Sequence, residues 1–109
     1  MAAGTYRLSD LAARVKERAS QSAESSYTRK LLDKGITHCA KKLGEEAVET
    51  ALAAVGDSRE HLIAEAADLL YHLLVVLEAR GVKLAEVETV LASRTAQSGL
   101  EEKASRKGG

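Results

Sequence analysis

The chain has 109 residues, sixteen of them basic and sixteen acidic, with one cysteine and no proline, phenylalanine or tryptophan. That length gives room for one domain, residues 1–109, and makes self-association a natural way to bury more surface. Balanced charge provides no global field to recruit nucleic acid or a membrane surface, so neither is expected as a partner and any charge-based function has to be local. The lone Cys39 excludes an internal disulfide and a thiolate zinc site. It suits a reducing, cytoplasmic compartment and the plain role of a small core residue. The start of the chain has no apolar core of signal-peptide length. The longest uncharged apolar stretch, residues 69–77, falls well short of the roughly 20 residues a membrane span needs.

Ala, Leu, Glu, Lys and Arg dominate, all residues that lose little freedom in a helix, and no segment alternates like a strand. Leu8, Leu11, Ala12 and Val15 mark the apolar face of a first helix, which fades into the polar loop at residues 20–26. A second helix is predicted over residues 27–55, with Leu31, Leu32, Ile36, Leu43, Val48 and others on its apolar side. Gly35 and Gly44 weaken it locally, and Gly35 is a place for a kink. Gly56 stands where a C-terminal cap belongs, and residues 57–60, Asp-Ser-Arg-Glu, read as a capping box opening a third helix that runs to about residue 80. A fourth carries Leu84, Val87, Val90 and Leu91, and residues 98–109 form a polar, glycine-ended tail expected to be mobile. The fold class is therefore all-α, a bundle of four main helices. Homodimerisation is expected to complete it, because the third helix has more apolar surface than three short partners can cover.

The acidic residues carry the chemistry. At about 100° per residue, Glu45, Glu46 and Glu49 share one arc of the second helix with Lys42 and His38, while Glu65 and Asp68 lie one turn apart on the third. For the second helix an ordinary solvated face explains the arc equally well. The third is apolar almost all round, with Leu62, Leu69 and Val76 on one side of its acids and Tyr71 and Val75 on the other. Carboxylates in such a setting pair, protonate or bind metal. Lys41 and Lys42 are possible partners, but five acids outnumber two lysines, which favours a hard divalent cation such as Mg²⁺ on oxygen ligands. Di-iron chemistry lacks its Glu-x-x-His pairs and zinc its His and Cys supply. His61 with Glu65 and Asp68 with His72 are spaced i, i+4, and no phosphate-cradling glycine loop is present.

Glu-Glu-x-x-Glu followed one helix later by Glu-x-x-Asp resembles the MazG-like all-α nucleoside triphosphate pyrophosphohydrolase superfamily. Ser26-Tyr27-Thr28, the run from Lys41 to Ala47, Asp68-Leu-Leu-Tyr71-His72 and the segment from Ser98 to Arg106 narrow the resemblance to the phosphoribosyl-ATP pyrophosphatase family of histidine biosynthesis, over about residues 8–106. The resemblance implies a Mg²⁺-dependent, nucleotide-binding hydrolase that converts phosphoribosyl-ATP to phosphoribosyl-AMP and pyrophosphate, oligomeric through its helices and here in its stand-alone form. It implies Glu46, Glu49, Glu65 and Asp68 as metal ligands and Glu45 as a further ligand or the base that accepts a proton from water. Lys41, Lys42, Tyr27 and the tail residues Lys103 and Arg106 become candidates for phosphate or substrate contact, and His72 a residue supporting a ligand acid from one turn away. Two other functions stay open at this point: a house-cleaning enzyme acting on free (d)NTPs, which the acids serve equally well, and a non-catalytic helical dimerisation module.

Overall fold

Gly35 divides what the periodicity reads as one long helix. In the computed structural model, which describes residues 3–96, the helices are α1 (Leu8–Ala19), α2 (Tyr27–Asp33), α3 (Ile36–Ala54), α4 (Arg59–Ala79) and α5 (Leu84–Thr95), preceded by a short 3₁₀ turn at Ala3–Thr5. No strand occurs among the described residues. The all-α class stands, and where four main helices are expected the described residues form five. Gly35 sits at φ 95° and ψ 166°, a conformation essentially closed to residues with a Cβ, and it both ends α2 and precedes the first turn of α3. Gly44 lies inside α3 and breaks nothing.

The polar loop at residues 20–26 is tied down at its far end. Ser26 Oγ accepts from Arg29 N–H at 3.0 Å, capping α2, and donates to Arg18 C=O at 3.0 Å at the end of α1. Arg29 Nη1 donates to Ala19 C=O at 2.9 Å, so a carbonyl at the end of α1 is satisfied from α2. The cap of α4 is Ser58, whose Oγ accepts from His61 N–H at 3.0 Å; the expected capping box from Asp57 to Glu60 is one residue early. Gly81, at φ 67°, ends α4: its N–H reaches Glu78 C=O at 3.1 Å, and Val82 N–H reaches Leu77 C=O at 2.9 Å, the paired bonds of a Schellman motif.

The core lies where the first four helices meet, built from Val15, Leu31, Cys39, Leu74 and Val75, with Leu11, Tyr71 and Leu84 packed around it. Cys39 is buried as expected and its Sγ donates to Leu31 C=O at 3.2 Å; burial pushes its thiol up from the ordinary value, which makes it inert. The most extensive packing is α3 on α4, joined by a four-residue turn and therefore antiparallel. By contrast, α5 buries no residue fully. Ile63 and Leu70 on α4 stay exposed in the single chain, although the sequence makes that helix apolar almost all round.

Candidate metal centre

Antiparallel packing of α3 on α4 brings the acids of the two helices together. Carboxylate oxygens of Glu46, Glu65 and Asp68 lie within 4.8 Å of one another, with Glu46 and Glu65 half-buried and Asp68 exposed. Two unit charges about 4 Å apart repel by roughly 1 kcal/mol in bulk water and roughly 4 kcal/mol near a protein surface. Glu46 registers this: partial burial first, then the charges of Asp68 and Glu65, push its carboxyl above the ordinary 4.5. Its hydrogen bond with Glu65 and the charge of Glu49 act in the same direction. Three oxygen donors converging from two helices, with no lysine or arginine in ion-pair contact with any of them among the described residues, form a donor set that suits a hard divalent cation.

Neighbouring side chains hold this cluster in place. His61 Nε2 lies 3.2 Å from Glu65 Oε2, so one of the two i, i+4 His–acid pairs is made. The other is not: His72 has no hydrogen bond to Asp68 among the described residues. Instead it is 6 % exposed, packs edge-on to Tyr71 at 5.1 Å between ring centroids, and leaves Nδ1 without a hydrogen-bond partner there. Burial, then the charge of Lys42, lowers its imidazole below the ordinary 6.5, against a smaller opposing pull from Asp68 and Glu45. Thr50, which the sequence reading passed over, has its Oγ1 2.7 Å from Glu46 C=O and 3.1 Å from Glu65 C=O. A single hydroxyl thus bridges the backbones of two cluster residues across the helix pair. Its only sequence signal is a threonine one turn after Glu46, where back-bonding to the i−4 carbonyl is common.

The arc of α3 divides in space. Glu46 turns to α4, Glu45 is exposed and pairs with Lys42 at 3.3 Å, and Glu49 is exposed one turn beyond, outside the three-acid group. Lys41 is exposed and makes no ion pair among the described residues. Tyr27 is 55 % exposed, with its ring stacked over Tyr71 at 6.4 Å and 21°. Tyr71 is itself fixed by a 2.6 Å hydrogen bond to Thr28 Oγ1, which ties α2 to α4. Lys103 and Arg106 lie outside the described residues.

With this geometry in view, comparison with known proteins is specific. A model of the family described as phosphoribosyl-ATP pyrophosphohydrolase matches residues 8–95. A phosphoribosyl-ATP pyrophosphatase 1 from Bradyrhizobium diazoefficiens is 66 % identical over 94 % of this chain and 96 % of its own length. One of the same name from Rhodopseudomonas palustris is 66 % identical over 94 % of this chain and 95 % of its own. A phosphoribosyl-ATP pyrophosphatase from Nitrobacter winogradskyi is 63 % identical over 93 % and 87 %.

Proposed function

The chain belongs to the phosphoribosyl-ATP pyrophosphohydrolase family, and from that premise we propose that it hydrolyses phosphoribosyl-ATP to phosphoribosyl-AMP and pyrophosphate in histidine biosynthesis, using Mg²⁺. The observation that supports the metal most directly is the convergence of Glu46, Glu65 and Asp68, three oxygen donors whose mutual repulsion a cation relieves. Glu49, on the next turn of α3, is the fourth candidate ligand. When bound, the ion neutralises phosphate charge and acidifies a coordinated water.

The chain's own residues do the rest. Thr50 and His61 fix the backbone and the carboxylate of Glu65, so the donors are held before substrate arrives. Glu45, steadied by Lys42, accepts the proton of the attacking water. Lys42 and Lys41 contact phosphate oxygens, and Tyr27 offers an exposed aromatic face to the base.

A second copy of the chain is part of this reading. Val48 and Leu52 on α3 and Val55 at its C-cap form an exposed apolar stripe at i, i+4, i+7, and Ile63 and Leu70 are exposed on α4. A cytoplasmic location agrees with the single reduced, buried thiol, and no helix among the described residues is long and apolar enough to cross a membrane.

Pyrophosphate release from phosphoribosyl-ATP, with ATP and dCTP as controls and with and without Mg²⁺, tests the proposal. Metal-dependent release from phosphoribosyl-ATP is expected. Release mainly from the free triphosphates would overturn the substrate, and release from none of the three would overturn the enzyme.

A further inference from the structure

The break at Gly35 turns two helix faces toward each other. Between them lies an open cleft of about 420 Å³ whose polar walls are Tyr27, Lys30 and Lys34 from the α2 side and His38 and Lys42 from α3. Its charges are unequally committed. Asp33, the one acid on the cleft, is held by Arg29 through Nε at 2.8 Å and Nη2 at 2.5 Å. Lys42 is shared with Glu45. Lys30 and Lys34 both line the cleft and make no ion pair with an acid among the described residues, and as like charges at i, i+4 they repel. A cleft with two uncommitted ammonium groups and a third within reach is built for an anion.

We propose that this cleft is a phosphate-monoester subsite, separate from the carboxylate cluster, that takes the ribosyl 5-phosphate which phosphoribosyl-ATP carries and ATP lacks. The proposal rests on the substrate reading above. That substrate has its polyphosphate at one end and a monophosphate at the other, with a ribose, a purine and a second ribose between them. It therefore needs two sites of opposite design: acids that hold a cation for the polyphosphate, and free cations for the monophosphate. Both occur along one face of α3. His38, Lys42 and Glu46 succeed one another at one-turn intervals, which sets the cleft residues of α3 about 6–12 Å along the helix from Glu46 at 1.5 Å per residue. Tyr27, braced on Tyr71, stands on the cleft wall where a purine between the two phosphate ends would stack. Lys30 and Lys34 are then the residues that distinguish this substrate from an ordinary nucleoside triphosphate.

The test compares phosphoribosyl-AMP with AMP by titration calorimetry on the Mg²⁺-loaded, full-length protein. Both ligands lack the polyphosphate and share the α-phosphate, and only the first has the additional ribosyl 5-phosphate. Wild type is expected to bind phosphoribosyl-AMP about tenfold or more tighter than AMP. In the double variant Lys30→Ala/Lys34→Ala that preference should collapse to within about twofold, with AMP affinity and Mg²⁺-dependent thermal stabilisation unchanged. Lys30→Arg/Lys34→Arg should retain most of it. Both positions are exposed, so the folded state tolerates the changes. Equal weakening toward both ligands would overturn the proposal by assigning the lysines to the shared α-phosphate, and an undiminished preference, or none in wild type, would overturn it as well. Failure of the substrate reading shows elsewhere, as absent pyrophosphate release from phosphoribosyl-ATP.

Discussion

At Glu46 a single substitution separates the cost of its crowded charge from its proposed role as a metal ligand. Its folded-state carboxyl is raised above 4.5 by burial and by Asp68 and Glu65, so between the ordinary carboxylate range and that raised value the folded chain holds the proton more than the unfolded chain does. Metal-free stability therefore falls as pH rises through this window, and above it the whole penalty is present. Metal-free Glu46→Gln should be more stable than wild type at pH 7, with the advantage fading as pH drops through the carboxylate range. Adding Mg²⁺ should reverse the order: at a hundred times its Kd the ion would stabilise wild type by about 2.7 kcal/mol and the variant by much less. Thermal melts with chelator and with Mg²⁺, across pH, read both effects. Glu45 stands outside the three-acid group, and Glu45→Gln should cut turnover about 10²-fold or more while leaving Mg²⁺-dependent stabilisation intact. Equal loss of both would make Glu45 a ligand. Thr50→Val keeps the shape and deletes the bridging hydroxyl, so it should cost about 1 kcal/mol in denaturant unfolding and raise the Mg²⁺ concentration for half-maximal stabilisation, with Thr50→Ser restoring both.

Among the helices, the sequence read best where one residue type at one spacing has one meaning. The apolar face of α1, the glycine that ends α4, and the three acids that converge from α3 and α4 were legible, whereas Val90 and Leu91 of the face read for α5 stay exposed. The break inside residues 27–55 was legible only as a place for a kink at Gly35, because spacing does not say whether a helix bends or ends there. What decides it is tertiary: Ser26 and Arg29 tie α2 to the end of α1, while α3 follows α4, and the chain must turn between those two directions at a residue that tolerates φ 95°. Thr50 escaped for a similar reason, since its role depends on which face of α3 meets α4. Gly35→Ala should therefore destabilise the chain by about 1–3 kcal/mol even though nothing lies within 4 Å of the added Cβ, since the penalty is conformational and not a clash. Gly44→Ala, in mid-helix and equally open, should stabilise by about 0.5–1 kcal/mol. Opposite signs from two Gly→Ala changes nine residues apart, read by urea unfolding, would distinguish a required left-handed break from a merely flexible one.

For the molecule as a whole, the single chain looks incomplete. Its radius of gyration is 16.2 Å, whereas a compact domain of 100 residues has about 13 Å. Val48 and Leu52 on α3 and Val55 at its end remain 59, 64 and 84 % exposed, and Leu52 and Val48 border the same surface as Glu45 and Glu49. A side chain of this size contributes about 1.5–3 kcal/mol when fully buried, so covering this stripe is the driving force by which the chain should pair with a second copy. That surface adjoins two of the candidate site acids, so association and turnover should be linked. Leu52→Glu places a charge in the middle of the stripe at a position already open in the single chain, and should leave its helicity intact. Sedimentation velocity at micromolar concentration should show wild type as a dimer and the variant shifted toward monomer, with pyrophosphate release falling in parallel. A variant that dissociates yet keeps full turnover would mean that each chain completes its own site. A variant that stays dimeric would move the interface off α3, and the exposed Val90 and Leu91 of α5 would be the next apolar surface to charge.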